Sequence, residues 1–301
     1  MPIEAVIKGH VLITGGTGFI GGYLSKGLMA AGYKVTTLSR SVVEKENHIC
    51  LDLTDEAALA DFANQLPPVD TIIHCAAIAH GERPPKDLSI SDFNTLISSN
   101  LVKAFERVEL HWIFLSSISV YGEVYSEFAI PIELFPKPTD SYGIGKLHDE
   151  SFFVSNCDHL DILRLMPVYD SQNFQDIRKR VFLPKTNIKI KIQPEPLYSI
   201  CHVDEILAVV KKCMNYKFGQ RITQVGGSQP VSQNDLANWF PGISIPVPQI
   251  LFRVVVCILP KRISLFKNIS FMLKKLGMNN IYEVGCMNLT PAETFSKGAS
   301  K

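Results

Sequence analysis

An apolar run, His10-Val-Leu-Ile-Thr14, that breaks at once into Gly15-Gly-Thr-Gly-Phe-Ile-Gly21 constrains this chain more than any other feature. The run reads as a buried strand, and the amphipathic stretch Tyr23 to Ala31, closed by Gly32, reads as a helix with a glycine stop. Gly15 and Gly16 permit a sharp exit from the strand. Gly18 lets the backbone approach a pyrophosphate, and Gly21 permits close helix–strand packing. A helix opening there points its first amides at an anion, which makes Gly15, Gly18, Phe19, Ile20 and Gly21 the first candidate dinucleotide contacts.

The segment Tyr33 to Leu38 restores the strand pattern and completes a strand–helix–strand unit. Further strands are expected at His48 to Leu51, Thr71 to Cys75, Trp112 to Ser116 and Asp161 to Leu165, with helical stretches between them. This alternation predicts an α/β fold with a Rossmann-type, doubly wound parallel sheet. After Pro167 prolines punctuate shorter elements, so a dinucleotide-binding domain is expected over 1–165. A smaller, irregular substrate-binding lobe is expected over 166–301, with a late strand at 221–225 returning to the sheet.

Composition narrows the function. The 301 residues are 46% hydrophobic and 20% charged, an ordinary globular balance. A net charge of +1 offers no global field for nucleic acid or an anionic membrane, so any anionic ligand has to be caught locally. The cysteines at 50, 75, 157, 201, 213, 257 and 286 are scattered and odd in number, which reads as reduced core thiols of a cytoplasmic protein with no metal site. No signal peptide is apparent. The apolar stretch Ile250 to Leu259 contains Arg253 and is far short of the roughly 20 residues that span a bilayer. Gln249 to Lys275 mixes apolar residues with cations and reads as core-packing helices, a lid, an oligomer contact such as a homodimer face, or a peripheral membrane surface.

Two local patterns carry chemistry. After the second strand comes Leu38-Ser39-Arg40-Ser41, with no acid before Glu44. A carboxylate at this place holds the ribose hydroxyls of NAD, whereas a 2′-phosphate needs a cation. Ser39 and Arg40 therefore favour NADP over NAD unless Arg40 is a solvated surface side chain. The second pattern pairs Phe114-Leu-Ser-Ser-Ile-Ser-Val-Tyr-Gly122 with Tyr142-Gly-Ile-Gly-Lys146. Four residues apart on a helix, Tyr142 and Lys146 share a face. The ammonium is expected to lower the phenol pKa, and the phenol to exchange a proton with a carbinol or carbonyl oxygen. Ser117 and Ser119 compete for a hydrogen bond to that oxygen, because a strand would turn both to one side.

With Thr14 to Gly21, Asp52-Leu53, His74 to Ala77, Ser116 to Gly122, Tyr142 to Lys146, Arg164 to Tyr169 and His202 to Asp204, the sequence resembles the extended short-chain dehydrogenase/reductase superfamily, in its epimerase/dehydratase branch. The resemblance implies Ser117 as catalytic serine, Tyr142 as acid/base and Lys146 as the ribose-binding lysine. It also implies cofactor contacts at Asp52, Leu53, Cys75, Ala76, Ala77, Pro167 and Val168, with Asn100 on the helix behind the site. His80 reads as a contact to a sugar hydroxyl or as a surface histidine. Arg178 and Arg180 read as holding a nucleotide-sugar diphosphate or as a solvated basic face. Ile118-Ser119 stands where dehydratases of the family carry an Asp-Glu pair, and the acid usual in NAD-retaining epimerases is missing after the second strand. The expectation is therefore an NADPH-dependent 4-ketoreductase of nucleotide sugars, followed by an NAD-dependent 4-epimerase and by a non-catalytic NADP sensor.

Overall fold

The computed structural model describes residues 8–78, 84, 88–106, 109–216, 219–258 and 264–289. The chain opens with β1 (His10–Thr14), α1 (Phe19–Ala30), β2 (Lys34–Ser39), β3 (His48–Cys50), α2 (Glu56–Gln65), β4 (Thr71–His74), α3 (Ile90–Ala104) and β5 (His111–Ser117). A 3₁₀ turn (Ile118–Tyr121) leads toward α4 (Ser141–Asn156) and β6 (Leu160–Leu165). Short elements follow: β7 (Val168–Tyr169), α5 (Gln175–Arg178), β8 (Ile188–Gln193), β9 (Leu197–Tyr198) and β10 (Cys201–His202). The remainder is α6 (Val203–Met214), β11 (Gln220–Val225), β12 (Val231–Ser232), α7 (Gln233–Asn238), β13 (Ile243–Pro248), α8 (Gln249–Ile258), α9 (Ser264–Gly277) and β14 (Gly285–Leu289).

The main sheet has eight strands in the order β14-β11-β6-β5-β4-β1-β2-β3. All neighbours pair in parallel except β14, which runs antiparallel to β11. β11 is the late strand read at 221–225. The antiparallel edge β14 and helix α6 from the same half of the chain were not read from the sequence. Three two-stranded sheets, β7 with β10, β8 with β13 and β9 with β12, make up the C-terminal irregularity.

Central strands buried on both sides explain the continuous apolar runs of the sequence. One layer packs Leu24 and Leu28 of α1 and Ile206 and Val210 of α6 against Val11, Ile13 and Leu163. The other packs Leu59 of α2, Phe93 and Ile97 of α3 and Phe153 of α4 against Leu12, Ile72 and Phe114. The Phe114 and Phe153 rings stack with centroids 4.7 Å apart, seating α4 on β5.

The strand order reverses between β1 and β4, and a crevice opens there at the strands' carboxyl ends. Helix α1 starts at Phe19, one turn earlier than its amphipathic pattern suggests, because tight packing overrides the poor helix propensity of Gly21 and Gly22. Gly15 sits at φ +69°, and a Cβ there would stand 2.9 Å from the Ala76 amide nitrogen. A Cβ on Gly21 would stand 2.4 Å from the Gly15 carbonyl oxygen. Gly21→Ala is therefore expected to lower stability in urea unfolding by about 1–3 kcal/mol despite alanine's better helix propensity. A stabilised variant would contradict this packing argument.

Candidate active site

A cleft of about 210 Å³ lies at the reversal between β1 and β4. Of the sequence candidates it brings together Gly15, Gly18, Ser39, Arg40, Asp52, Leu53, Cys75, Ala76 and Ala77. It adds Thr17, Leu38, Ser41, Leu51 and Ile78 from the same loops, and Phe93 and Ile97 from α3. The Arg40 guanidinium lies 5.5 Å from the centre of the Phe93 ring. Phe93 and Ile97 follow ordinary helical spacing, and only the tertiary packing turns them to the cleft. Gly18, at the cap position before α1, offers no side-chain cap, leaving the helix's first-turn amides to other acceptors. Asp52 is held in place by accepting from the Thr54 amide and hydroxyl, both at 2.9 Å. Asn100 Nδ2 donates to the Leu53 carbonyl at 3.0 Å, bracing the same loop from α3.

The cleft floor is tied by a polar chain that the sequence reading missed. Thr14 Oγ1 lies 2.7 Å from His74 Nδ1, His74 Nε2 lies 3.1 Å from Ser98 Oγ, and the Ala76 amide donates to Thr14 Oγ1. Burial, with the Lys146 charge adding to it, lowers the His74 pKa to about 3. The imidazole is thus neutral near pH 7 and joins β1, β4 and α3 without carrying charge.

The serine, tyrosine and lysine candidates meet at the end of β5. Tyr142 is hydrogen-bonded to Ser117, and Ser117 Oγ donates to Ser119 Oγ at 3.1 Å. The strand ends at Ser117, whose side chain caps the 3₁₀ turn by accepting from the Ser119 amide. Ser119 therefore approaches through the turn, not through strand alternation. Lys146 is buried, donates to the Leu115 carbonyl at 2.8 Å and lies 4.6 Å from the centre of the Phe114 ring. Its charge reaches Cys75 and His74 at the β4 end of the cleft.

One electrostatic expectation is corrected. The Tyr142 phenol is pushed up to about 12, first by burial and then by the carboxylates of Asp176 and Asp140. Burial also lowers the Lys146 pKa, against the opposing pull of Asp149. Burial and the neighbouring carboxylates decide the shift, so the phenol keeps its proton at neutral pH.

Helix α4 is anchored where it meets the sheet. Asp140 caps it by accepting from the Gly143 amide at 2.8 Å. Two turns on, Glu150 has no exposed surface and receives Arg164 Nε at 3.0 Å, Arg164 Nη2 at 2.7 Å and Ser116 Oγ at 2.5 Å. Arg164 Nη1 also donates to the Tyr121 hydroxyl at 2.8 Å. Ser116 thus faces away from Ser117, and Tyr121 is a packed aromatic with a polar tie.

Other candidates fall elsewhere. Phe19, Ile20 and Gly21 sit in the first turn of α1 behind the cleft. Val168 pairs with Cys201 in the small β7–β10 sheet, and the Pro167 carbonyl accepts from the Cys201 amide. The Arg178 guanidinium stacks over Phe182 and Phe240, at 4.2 and 5.5 Å, so it is not a freely solvated cation. Arg180 is buried, donates from Nη1 to the Asp176 carbonyl and leaves Nε without a partner. Lys275 of α9 lies in the field of Arg180, Asp140 and Asp176, close to the carboxylates that surround Tyr142. No pattern in the sequence singles it out. His80 lies outside the described residues. Cys157, Cys201 and Cys213 are buried, but Cys50 and Cys286 are exposed, so the thiols are not uniformly core residues. No group of three metal-ligating side chains occurs among the described residues.

Because His74 is buried neutral, unfolding releases a group that binds protons below about pH 6.5. Its contribution to stability is full above that pH and is lost as pH falls toward about 3. His74→Gln is expected to flatten the acid limb of stability against pH between these values, measured by urea unfolding. Identical slopes for the two proteins would contradict a neutral His74.

Comparisons place this geometry among known proteins. The model of the NAD dependent epimerase/dehydratase family matches residues 11–189. A UDP-glucose 4-epimerase of Vibrio cholerae is 32% identical over 151 residues, covering 48% of this chain and 46% of that protein. The Yersinia pestis UDP-glucose 4-epimerase is 33% identical over 158 residues, covering 46% and 45%. The chain thus spans about half the length of these relatives. Among solved structures, a UDP-glucose 4-epimerase superimposes with a TM-score of 0.64 at 19% identity, covering 79% of this chain and 85% of that one. The Helicobacter pylori ADP-L-glycero-D-manno-heptose-6-epimerase gives a TM-score of 0.63 at 19% identity, with 80% and 85% covered. With more than half of its residues matched by the family model, the chain belongs to the NAD-dependent epimerase/dehydratase family.

Proposed function

We propose that the protein is a nicotinamide-dinucleotide enzyme that inverts a ring carbon of a nucleotide-linked sugar, a 4-epimerase acting on a UDP-hexose. The observation that carries this reading is the hydrogen-bonded Ser117–Tyr142 pair, one helical turn from the buried Lys146 whose charge reaches the end of the cleft. The sequence alone favours reduction of a ketone. Relatives named UDP-glucose 4-epimerase move inversion ahead of it.

The residues present fit a dinucleotide. The turn has no room for a Cβ at Gly15 or Gly21, α1 lacks a side-chain cap, and Asp52 and Leu53 border the adenine end. When bound, the dinucleotide supplies a hydride acceptor and donor. Ser117 is assigned to the hydroxyl oxygen on the ring carbon that reacts, with Ser119 supporting the serine hydroxyl. To take the proton from that hydroxyl as the ketone forms, Tyr142 has to act as the phenolate, a charge the Lys146 ammonium favours, and it returns the proton as the alcohol re-forms. Its protonated resting state suits the return step. Lys146, fixed by the Leu115 carbonyl, is assigned to the ribose and to the phenol's charge during proton transfer. Residues 166–301 are assigned to the sugar nucleotide, with Arg180 and Lys275 as cations in the field of Asp176.

A second reading, NADPH-dependent reduction of a 4-keto nucleotide sugar, is favoured by Arg40 on the cleft wall where an NAD site would place an acid. One experiment separates the two. The purified protein is denatured to release any dinucleotide, and the native protein is incubated with UDP-glucose or UDP-galactose and the products chromatographed. Inversion predicts retained NAD and interconversion, and Tyr142→Phe should lower turnover about 10²–10⁴-fold with cofactor content unchanged. Consumption of added NADPH with a 4-keto sugar nucleotide, without copurified cofactor, would install the reductase. Near-normal turnover by Tyr142→Phe would overturn both.

A further inference from the structure

From residue 236 to residue 282 the chain contains no Asp or Glu but six cations, Arg253, Lys261, Arg262, Lys267, Lys274 and Lys275. The rest of the protein nets −5, so charge is segregated despite a total of +1. Lys274 is engaged by Glu123 at 2.5 Å, and Lys275 is drawn in beside Arg180 and Asp176. The other four lie between Arg253 and Lys267, and Arg253 is exposed.

The same stretch turns apolar residues outward. Phe252 is buried with Ile190, Ile192 and Leu276, seated where Gly277 leaves no room for a Cβ, so the inner face of α8 is fixed. Its outer face carries Ile250 at 68% exposure, Leu251 at 58% and Val254 at 46%, with Arg253 exposed among them. The preceding strand β13, paired only with β8, exposes Ile243 at 73% and Ile245 at 42%. An apolar surface of this extent, contiguous in sequence, requires a cover.

We propose that β13 and α8 form a peripheral docking surface for an anionic lipid bilayer. Outward isoleucine and leucine beside basic residues, with no acid to repel phosphate headgroups, match the two attractions of an interfacial segment. A second copy of this chain fits the face less well. A two-fold contact would set the acid-free basic stretch against itself, and Pro246 and Pro248 remove N–H donors that edge pairing would use. No helix among the described residues is long and apolar enough to cross a membrane, so the contact is one of surface.

The test is co-sedimentation of the full chain with vesicles of phosphatidylcholine alone or mixed equally with phosphatidylglycerol. Binding is expected to the mixed vesicles, at least about tenfold weaker to the neutral ones, and reduced by salt. The double variant Ile250→Ser with Leu251→Ser should abolish it, and Arg253→Gln should weaken it about fivefold. All three substitutions lie at exposed positions, and circular dichroism and NADH binding are the folding controls. Absence of vesicle binding, or equal binding to both vesicle types, would overturn the proposal. So would a concentration-dependent dimer that the double variant dissolves without any lipid binding, which would make the face an interface between copies.

Discussion

The buried pairing of Glu150 with Arg164 is the constraint around which the site is organised. Neither side chain reaches water, and each satisfies the other through two nitrogen–oxygen contacts. Such a pair adds little stability over a well-packed apolar one, yet losing one partner strands a charge in a dry interior. It therefore acts as a registration device: α4 settles on β5 and β6 only where the carboxylate meets the guanidinium. Tyr121 and Ser116 complete the network, so the 3₁₀ turn after β5 is positioned by the same contacts.

Helical geometry transmits that registration. Lys146 stands one turn before Glu150 and Tyr142 one turn before Lys146, so fixing Glu150 fixes where both project. Asp140 caps the other end of the helix, and Phe153 stacks on Phe114 beyond Glu150. The Ser117–Tyr142 hydrogen bond is thus held from the sheet side by β5 and from the helix side by the Glu150, Asp140 and Phe153 contacts. The cleft has its own anchor, the neutral Thr14–His74–Ser98 chain, and the Lys146 charge connects the two.

Much of this was legible in the residues because backbone-driven features leave compact signals. The glycine turn, the parallel strands and the Tyr142–Lys146 spacing each depend on neighbours within a few positions. The cleft accordingly gathered nine of the anticipated dinucleotide contacts. What escaped depends on distant partners. Glu150 looks like any helical acid until β6 brings Arg164 to it, and Lys275 looks like a solvated lysine until α9 folds back beside Arg180. The phenol pKa was misjudged for a related reason, since spacing reveals the nearby ammonium but not the burial that opposes it. Arg178 read as a solvated cation or diphosphate contact because its ring partners, Phe182 and Phe240, come from separate segments.

The account therefore rests on one coupling. A double-mutant cycle of Glu150→Gln and Arg164→Met, read by urea unfolding, tests it most directly. The account predicts that each single change is severely destabilising, Arg164→Met by about 3–5 kcal/mol, and that the double variant regains about 1–3 kcal/mol of the summed loss. Losses that add to within about 0.5 kcal/mol would contradict it.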